Sequence, residues 1–356
     1  MAISRCSIFR RHVKPIVALG VVKKSRLGRH RWWLGELTLF LVPKPVSTNA
    51  ATGTAPVGNA ASNIVHPGGF CKTRTSKSPT FAPVNASRPA KLCEDSFMNV
   101  AIFTRDAHRM AGTPAVVLLA AFPYDHRMWE GVARRFEGVP VIAVDPPGFG
   151  HSPLPTDPPS LEIYADYVAQ AVRAEGAEKV LVCGNSMGGH TAQAMIERHP
   201  RLVGGVVLVG TKADIDTPKA RAARTEMAVG ALVGRAQEQL VEGIPTMLAK
   251  ETLTDFPKIP ELMEKWINEA PGEAISWAQR ALAARPGRLE TLERAHIPAM
   301  VVRGEQDQSS TAAQAEAMAK ALGTRVVSVP RAGHLVPLEA PSAVARAVMS
   351  VYRRIS

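Results

Sequence analysis

The chain has 356 residues, 46% of them hydrophobic, and a formal net charge of +12. That charge lies wholly in residues 1–97, which hold 15 Lys+Arg against 3 Asp+Glu, while residues 98–356 carry 28 of each sign. The basicity is thus no sign of nucleic-acid binding by the remainder, and no nucleic-acid partner is expected there. The four cysteines (Cys6, Cys71, Cys93 and Cys183) form no C-x-x-C pair and no zinc-like spacing, which excludes a disulfide scaffold or zinc module and points to a reducing, cytoplasmic setting.

Residues 1–97 read as a basic, low-complexity extension without a packed core. Residues 43–90 are rich in Pro, Ser, Thr, Asn, Gly and Ala and lack periodicity. The apolar patches Val13–Val22 and Trp32–Val42 are interrupted by charge and too short to cross a bilayer, so no membrane span is expected.

From Met98 the pattern becomes that of a folded domain over 98–356. Strands are predicted at Met98–Thr104, Pro114–Ala121, Val139–Val144, Val180–Cys183 and Val203–Val209, each a short apolar run. Between them, Met128, Trp129, Val132 and Phe136 recur at helical spacing, and Ser160 is placed to cap a helix presenting Ile163, Tyr167, Val168 and Val172. Such alternation predicts an α/β fold: a doubly wound, mostly parallel sheet covered on both faces. It stops near Asp214. Residues 214 to about 290 read as helices only and predict a helical cap inserted over the carboxyl ends of the strands, where ligands bind in such sheets. Alternation resumes with strands Ile297–Val302 and Arg325–Val329 and helices over 310–322 and Pro341–Arg354.

The chemistry centres on Gly184-Asn185-Ser186-Met187-Gly188, a G-x-S-x-G between the Val180 strand and a helix predicted over Thr191–His199. Strand, sharp turn and helix is the context that exposes a nucleophilic serine. A serine hydroxyl needs a histidine base, and the base needs an acid to fix its tautomer. Two later loops supply them: Arg303-Gly304-Glu305-Gln306-Asp307 after one strand, and Pro330-Arg331-Ala332-Gly333-His334 after the next. Ser186, His334 and Asp307 are therefore the candidate nucleophile, base and acid. Asp214, after the Val203 strand, is a rival acid or a residue of the cap hinge, and Glu305 reads as a solvated neighbour. No metal or cofactor is expected: Gly148-Phe149-Gly150 lacks the third glycine of a dinucleotide loop, and no Walker lysine or H-E-x-x-H motif occurs.

The order Ser186, Asp307, His334, with Pro147-Gly-Phe-Gly-His-Ser152 and Ala332-Gly-His334 followed by Pro337, Leu338, Glu339 and Pro341, resembles the α/β-hydrolase superfamily. Within it, residues 98–356 are most similar to capped esterases and 3-oxoadipate enol-lactonase-like enzymes. The resemblance implies a serine hydrolase that cleaves a small carboxylic ester or lactone through an acyl-enzyme. It also implies an oxyanion hole built by the backbone N–H groups of Met187 and Phe122. One departure stands out: Ala120-Ala121 occupies the place where the family usually has His-Gly. The same three residues could instead serve C–C bond hydrolysis or cofactor-free perhydrolysis, and a hydrolase fold reused only for ligand binding is the non-enzymatic alternative. His126, Trp266 and Trp277 are candidate substrate contacts, as are Met247 and Met263 of the cap. Asp145 reads as a loop-organising carboxylate, and His190, one turn along the helix after the elbow, as a packed surface residue or one that faces the pocket.

Overall fold

The computed structural model describes residues 99–356 together with the backbone of Ala82–Pro83. The remaining residues of the expected N-terminal extension lie outside the described residues.

Eight strands form one sheet: β1 (Ala82–Pro83), β2 (Ile102–Arg105), β3 (Ala115–Leu119), β4 (Val141–Val144), β5 (Val180–Asn185), β6 (Val203–Val209), β7 (Ala299–Gly304) and β8 (Val326–Val329). Their order is β1-β2-β4-β3-β5-β6-β7-β8. From β4 to β8 every pairing is parallel, whereas β2 runs antiparallel to β4, and β1 antiparallel to β2 through Ala82↔Thr104 and Pro83↔Phe103. The sheet thus recruits two residues from the stretch expected to lack structure. The predicted Met98–Thr104 strand begins later, at Ile102.

The central strands read as uninterrupted apolar runs because helices cover both faces: every residue of β3, β4 and β5 is buried. Between the strands lie short α1 (Glu130–Ala133), α2 (Leu161–Ala174) and α3 (Met187–Arg198). Ser160 caps α2 as predicted, its side chain accepting the Glu162 and Ile163 N–H groups. The buried face of α2 is centred on Leu161, Tyr164, Ala165 and Val168, and Ile163 lies at its edge.

The chain leaves β3 toward β4 on one side and returns through β5 on the other. The carboxyl ends of β3 and β5 therefore flank the point where strand order reverses, the position at which open α/β sheets form a crevice. Between β6 and β7 the chain builds the cap: α4 (Pro218–Ala231), α5 (Ala236–Glu242), α6 (Ile244–Met247), α7 (Lys250–Asp255), α8 (Lys258–Glu269) and α9 (Gly272–Ala284), followed by α10 (Leu289–Arg294). In α8, Met263, Trp266 and Ile267 fall at helical spacing and bury one face. After β7 come α11 (Ala312–Ala321), β8, α12 (Val336–Glu339) and α13 (Pro341–Tyr352). No helix among the described residues is long and apolar enough to cross a membrane.

Candidate active site

Ser186 stands alone between β5 and α3 with φ 52° and ψ −110°. A non-glycine residue rarely adopts this backbone, and it costs about 1–3 kcal/mol where the surroundings enforce it. The enforcement is visible. The Ser186 N–H donates to the Val209 carbonyl at 3.0 Å, and the Ser186 carbonyl accepts the Thr211 hydroxyl at 3.0 Å. Glycine is required on either side. A Cβ on Gly184 would collide with the Gly188 carbonyl, and one on Gly188 with the Leu119 carbonyl of β3. The motif's glycines let the elbow close on itself and press against the neighbouring strand.

The two later loops converge on this elbow. His334 Nδ1 lies 3.0 Å from both Oδ1 and Oδ2 of Asp307, and both residues are buried. Asp307 Oδ1 also accepts the N–H groups of Ser309 at 2.8 Å and Ser310 at 3.1 Å, while Oδ2 accepts the Ser310 hydroxyl at 2.5 Å. Burial works to raise the Asp307 pKa, but the His334 contact and the Ser310 hydrogen bonds outweigh it and hold the carboxyl below its usual range. A cross-tie joins the loops: Asn185 Nδ2, one residue before the serine, donates to the Val209 carbonyl at 3.0 Å and the His334 carbonyl at 3.2 Å. Ser186, His334 and Phe122 line one cavity of about 210 Å³ under the cap.

Met187 opens α3, so its N–H is one of the helix donors without an intrahelical acceptor. Among the described residues neither this N–H nor that of Phe122 meets a protein acceptor, while the Ala121 N–H is taken by Met128 Sδ at 3.2 Å. Ala120 and Ala121 are fully buried, so their methyl groups belong to the core beneath the loop and stay out of the cavity.

Several expectations are corrected by placement. His126, Trp266 and Trp277 do not line the cavity that holds Ser186. His126 stacks on Phe103 at 3.6 Å and places Nδ1 2.7 Å from Asp145 Oδ1. Asp145 in turn accepts the His126 and His151 N–H groups, as a loop-organising carboxylate should. Burial opposes ionisation of Asp145, but these hydrogen bonds and the His126 ring keep its pKa low. Trp277 is buried with Nε1 3.4 Å from the Asp157 carbonyl. Trp266 packs edge-on to Tyr124, with the Arg127 guanidinium 5.4 Å from its ring centre, and lines a separate cleft with Pro123 and His151. Met263 is buried in the apolar cluster that joins α8 to one face of the sheet, whereas Met247 does line the cavity of Ser186. Asp214 is exposed; Gln314 donates to its carboxylate at 2.9 Å and Arg285 to its carbonyl at 2.6 Å, as a hinge residue.

His190 is the larger surprise. It is buried, not a surface residue, and lines the cavity. Lys212 and Arg224, which sequence reasoning passed over, line it too. Lys212 lies three residues past the end of β6, and a cation just beyond a strand's carboxyl end was the available signal. Its Nζ lies 2.9 Å from Asp216 Oδ1, Arg224 Nε 2.7 Å from Asp216 Oδ2, and Arg285 Nη2 2.7 Å from Asp216 Oδ1. Burial, and then the charges of Arg285 and Arg224, hold the His190 pKa well below the ordinary histidine value, so its ring is neutral at physiological pH.

Among the described residues one group could gather a cation: His126, Asp145 and His151, whose donor atoms lie within 4.8 Å of one another. It lies outside the cavity of Ser186.

Residues 116–347 match the model of the Alpha/beta hydrolase family. The chain belongs to this family.

Within the alpha/beta hydrolases, 3-oxoadipate enol-lactonase 2 of Acinetobacter baylyi is 25% identical over 280 residues, covering 77% of this chain and all of that protein. A thermophilic esterase from Thermogutta terrifontis, determined with malate bound, is 29% identical with a TM-score of 0.67 over 72% of this chain and 93% of its own. The enol-lactonase from Burkholderia xenovorans shares the fold, with a TM-score of 0.65 at 24% identity over 71% of this chain and 97% of its own. As a member of the alpha/beta hydrolase family with enol-lactonase and esterase relatives, the chain is a hydrolase.

Proposed function

We propose that the protein is a serine hydrolase that cleaves small carboxylic esters or lactones, with Ser186 as nucleophile, His334 as general base and Asp307 as its orienting acid. The observation that carries the reading is the shared cavity of Ser186 and His334, with His334 Nδ1 held on the Asp307 carboxylate. His334 takes the Ser186 hydroxyl proton as the oxygen attacks the carbonyl carbon. The N–H groups of Met187 and Phe122 receive the developing oxyanion. His334 then protonates the leaving alcohol and activates the water that cleaves the acyl-enzyme.

The cavity of about 210 Å³ falls below the ~300–1,000 Å³ of sites for drug-sized ligands, which favours a compact substrate. Esterase and enol-lactonase relatives point to the same bond, and malate, bound by the Thermogutta esterase, is likewise small. The buried, unpaired Cys183 fits a cytoplasmic enzyme.

The test is esterase turnover on 4-nitrophenyl acetate and butyrate together with fluorophosphonate labelling of the full chain. Ser186→Ala should abolish labelling and lower kcat by about 10⁴–10⁶-fold, as removal of a nucleophile does elsewhere. A Ser186→Ala protein that turns over at the wild-type rate would sink the reading.

A further inference from the structure

The wall of the Ser186 cavity carries two cationic side chains, Lys212 and Arg224, and no carboxylate. Both lean on Asp216, which is buried behind the wall and also pairs with the buried Arg285. Three cations therefore share one carboxylate, and one negative charge cannot neutralise them. His190, which lines the same wall, is buried and can supply no negative charge. Two further acids lie nearby: Asp307, whose carboxylate is already held by His334, Ser309 and Ser310, and Asp214, whose exposed carboxylate is engaged by Gln314 and pairs with none of the three cations.

The donors are also incompletely used. Arg224 spends Nε on Asp216 and Nη1 on Gln279 Oε1 at 3.2 Å; among the described residues its Nη2 meets no protein acceptor. Lys212 has three ammonium donors and one carboxylate partner. The two side chains are only 26% and 21% exposed, so water screens them weakly. A partly desolvated pair of cations with spare donors is a receptor for an anion, and a carboxylate is the anion that a guanidinium matches best.

The position within the site fixes which part of the substrate carries it. His334 must protonate the leaving group, so that group departs on the His334 side, beside Met247, Ser309 and Ser310. Lys212 and Arg224 share the cavity wall with His190, one helical turn along α3 from Ser186, and neither pairs with His334 or Asp307. Building on the ester or lactone reading above, we propose that the preferred substrate bears a free carboxylate on its acyl portion, bound by Arg224 and Lys212.

The experiment compares matched esters on the full chain: the mono-4-nitrophenyl esters of succinate and glutarate against 4-nitrophenyl butyrate and valerate. Fluorophosphonate labelling of Ser186 is measured first. The expected result is a wild-type kcat/KM about ten- to a hundredfold higher for the carboxylated esters, the range of a charge-assisted hydrogen bond. Arg224→Gln should shrink that ratio about tenfold or more, chiefly through KM, and Lys212→Met should shrink it less. Both keep Arg285 on Asp216, and thermal melts report that each variant is folded. Glutarate should also bind the Ser186→Ala protein by calorimetry and lose that binding in Ser186→Ala/Arg224→Gln. A labelled Ser186 with no preference for the carboxylated esters overturns the inference and leaves the hydrolase reading intact. An equal loss on both ester classes in Arg224→Gln assigns that residue to structure and also overturns it, as does a preference for 4-acetoxybenzoate, whose charge sits on the leaving group. An unlabelled Ser186 removes the reading on which the inference rests.

Discussion

The carboxylate of Glu339 accepts the backbone N–H of Gly333, the residue before His334, at 2.9 Å. Its other oxygen accepts the Ala249 N–H at 2.7 Å and the Thr252 hydroxyl at 2.8 Å, both in the cap. One side chain therefore ties the histidine loop to the cap, and a second tie runs from the His334 N–H to the Met247 carbonyl at 2.9 Å. Glu339→Gln must turn an amide NH₂ toward at least one of these donors. The expected cost is about 1–3 kcal/mol of stability, the penalty for an unmade buried hydrogen bond. Because the same bond positions His334, kcat should fall as well, by roughly tenfold. Calorimetry and ester turnover measure the two effects; a lower Tm with unchanged kcat would confine Glu339 to stability.

The sheet was largely legible because its signal is local. Val203–Val209 is apolar on both faces, and the predicted and observed strands coincide. Edges were harder. β2 runs antiparallel, and Ala82–Pro83 joins the sheet with no sequence pattern, since two backbone pairs demand no side-chain periodicity. The candidate nucleophile, base and acid were legible because each sits in a loop immediately after a strand. The walls of the cavity were not. His190 read as a packed surface residue or a pocket-facing one, because the pattern of α3 says nothing about where the cap lands. Arg224 lies twelve residues beyond Lys212, and only the folded hinge brings both to Asp216. Trp266 and Trp277 are large enough to attract a binding role, yet they pack the cap helices against loops of the sheet domain, at Tyr124 and at Asp157.

Gly188 is a separate test of the elbow. A methyl group there would drive into the Leu119 carbonyl, which belongs to a central strand and cannot retreat. Gly188→Ala is expected to destabilise the protein by more than about 3 kcal/mol, the range of severe steric mutations. Urea unfolding of the soluble fraction checks this. A variant within about 1 kcal/mol of wild type would show that α3 can slide away from β3.

Asp216 predicts a pH signature. Burial opposes its ionisation, but hydrogen bonds from Arg224 and Lys212 and the charge of Arg285 win, leaving its pKa well below the ordinary carboxylate value. In the unfolded chain an aspartate titrates near ~3.9. A carboxyl whose folded pKa is depressed contributes stability that is complete above its unfolded pKa and is lost as pH falls through the folded one. Asp216→Asn should therefore cost about 3–5 kcal/mol at pH 7, because it strands the buried Arg285 guanidinium. The gap to wild type should narrow below about pH 4, as the carboxyl takes up its proton in the unfolded chain while the folded one stays ionised. Thermal melts of both proteins across pH 3–8 measure the gap; one that widens toward acid would contradict the assignment.

Asp307 is the acid whose removal separates orientation from packing. Asparagine fits the same volume and can still accept the Ser309 and Ser310 N–H groups through its carbonyl oxygen. Its NH₂ then replaces Oδ2 against both the Ser310 hydroxyl and His334 Nδ1, and an amide N–H aimed at Nδ1 favours the tautomer that carries its proton on Nε2, where it cannot take one. Folding should be nearly preserved, while kcat on a small ester should drop by about 10⁴-fold, the scale of losing the orienting carboxylate in a Ser-His-Asp triad. Glu305→Gln is the control, because Glu305 is exposed two residues away; its kcat should stay within about twofold. The carboxyl of Asp307 is held below its usual range, so its own protonation should not limit the wild-type rate until pH falls beneath the ordinary aspartate value. An Asp307→Asn protein retaining more than about a tenth of wild-type kcat would mean that another group orients His334. Asp214 would be an implausible substitute, because its carboxylate is exposed and engaged by Gln314 at 2.9 Å.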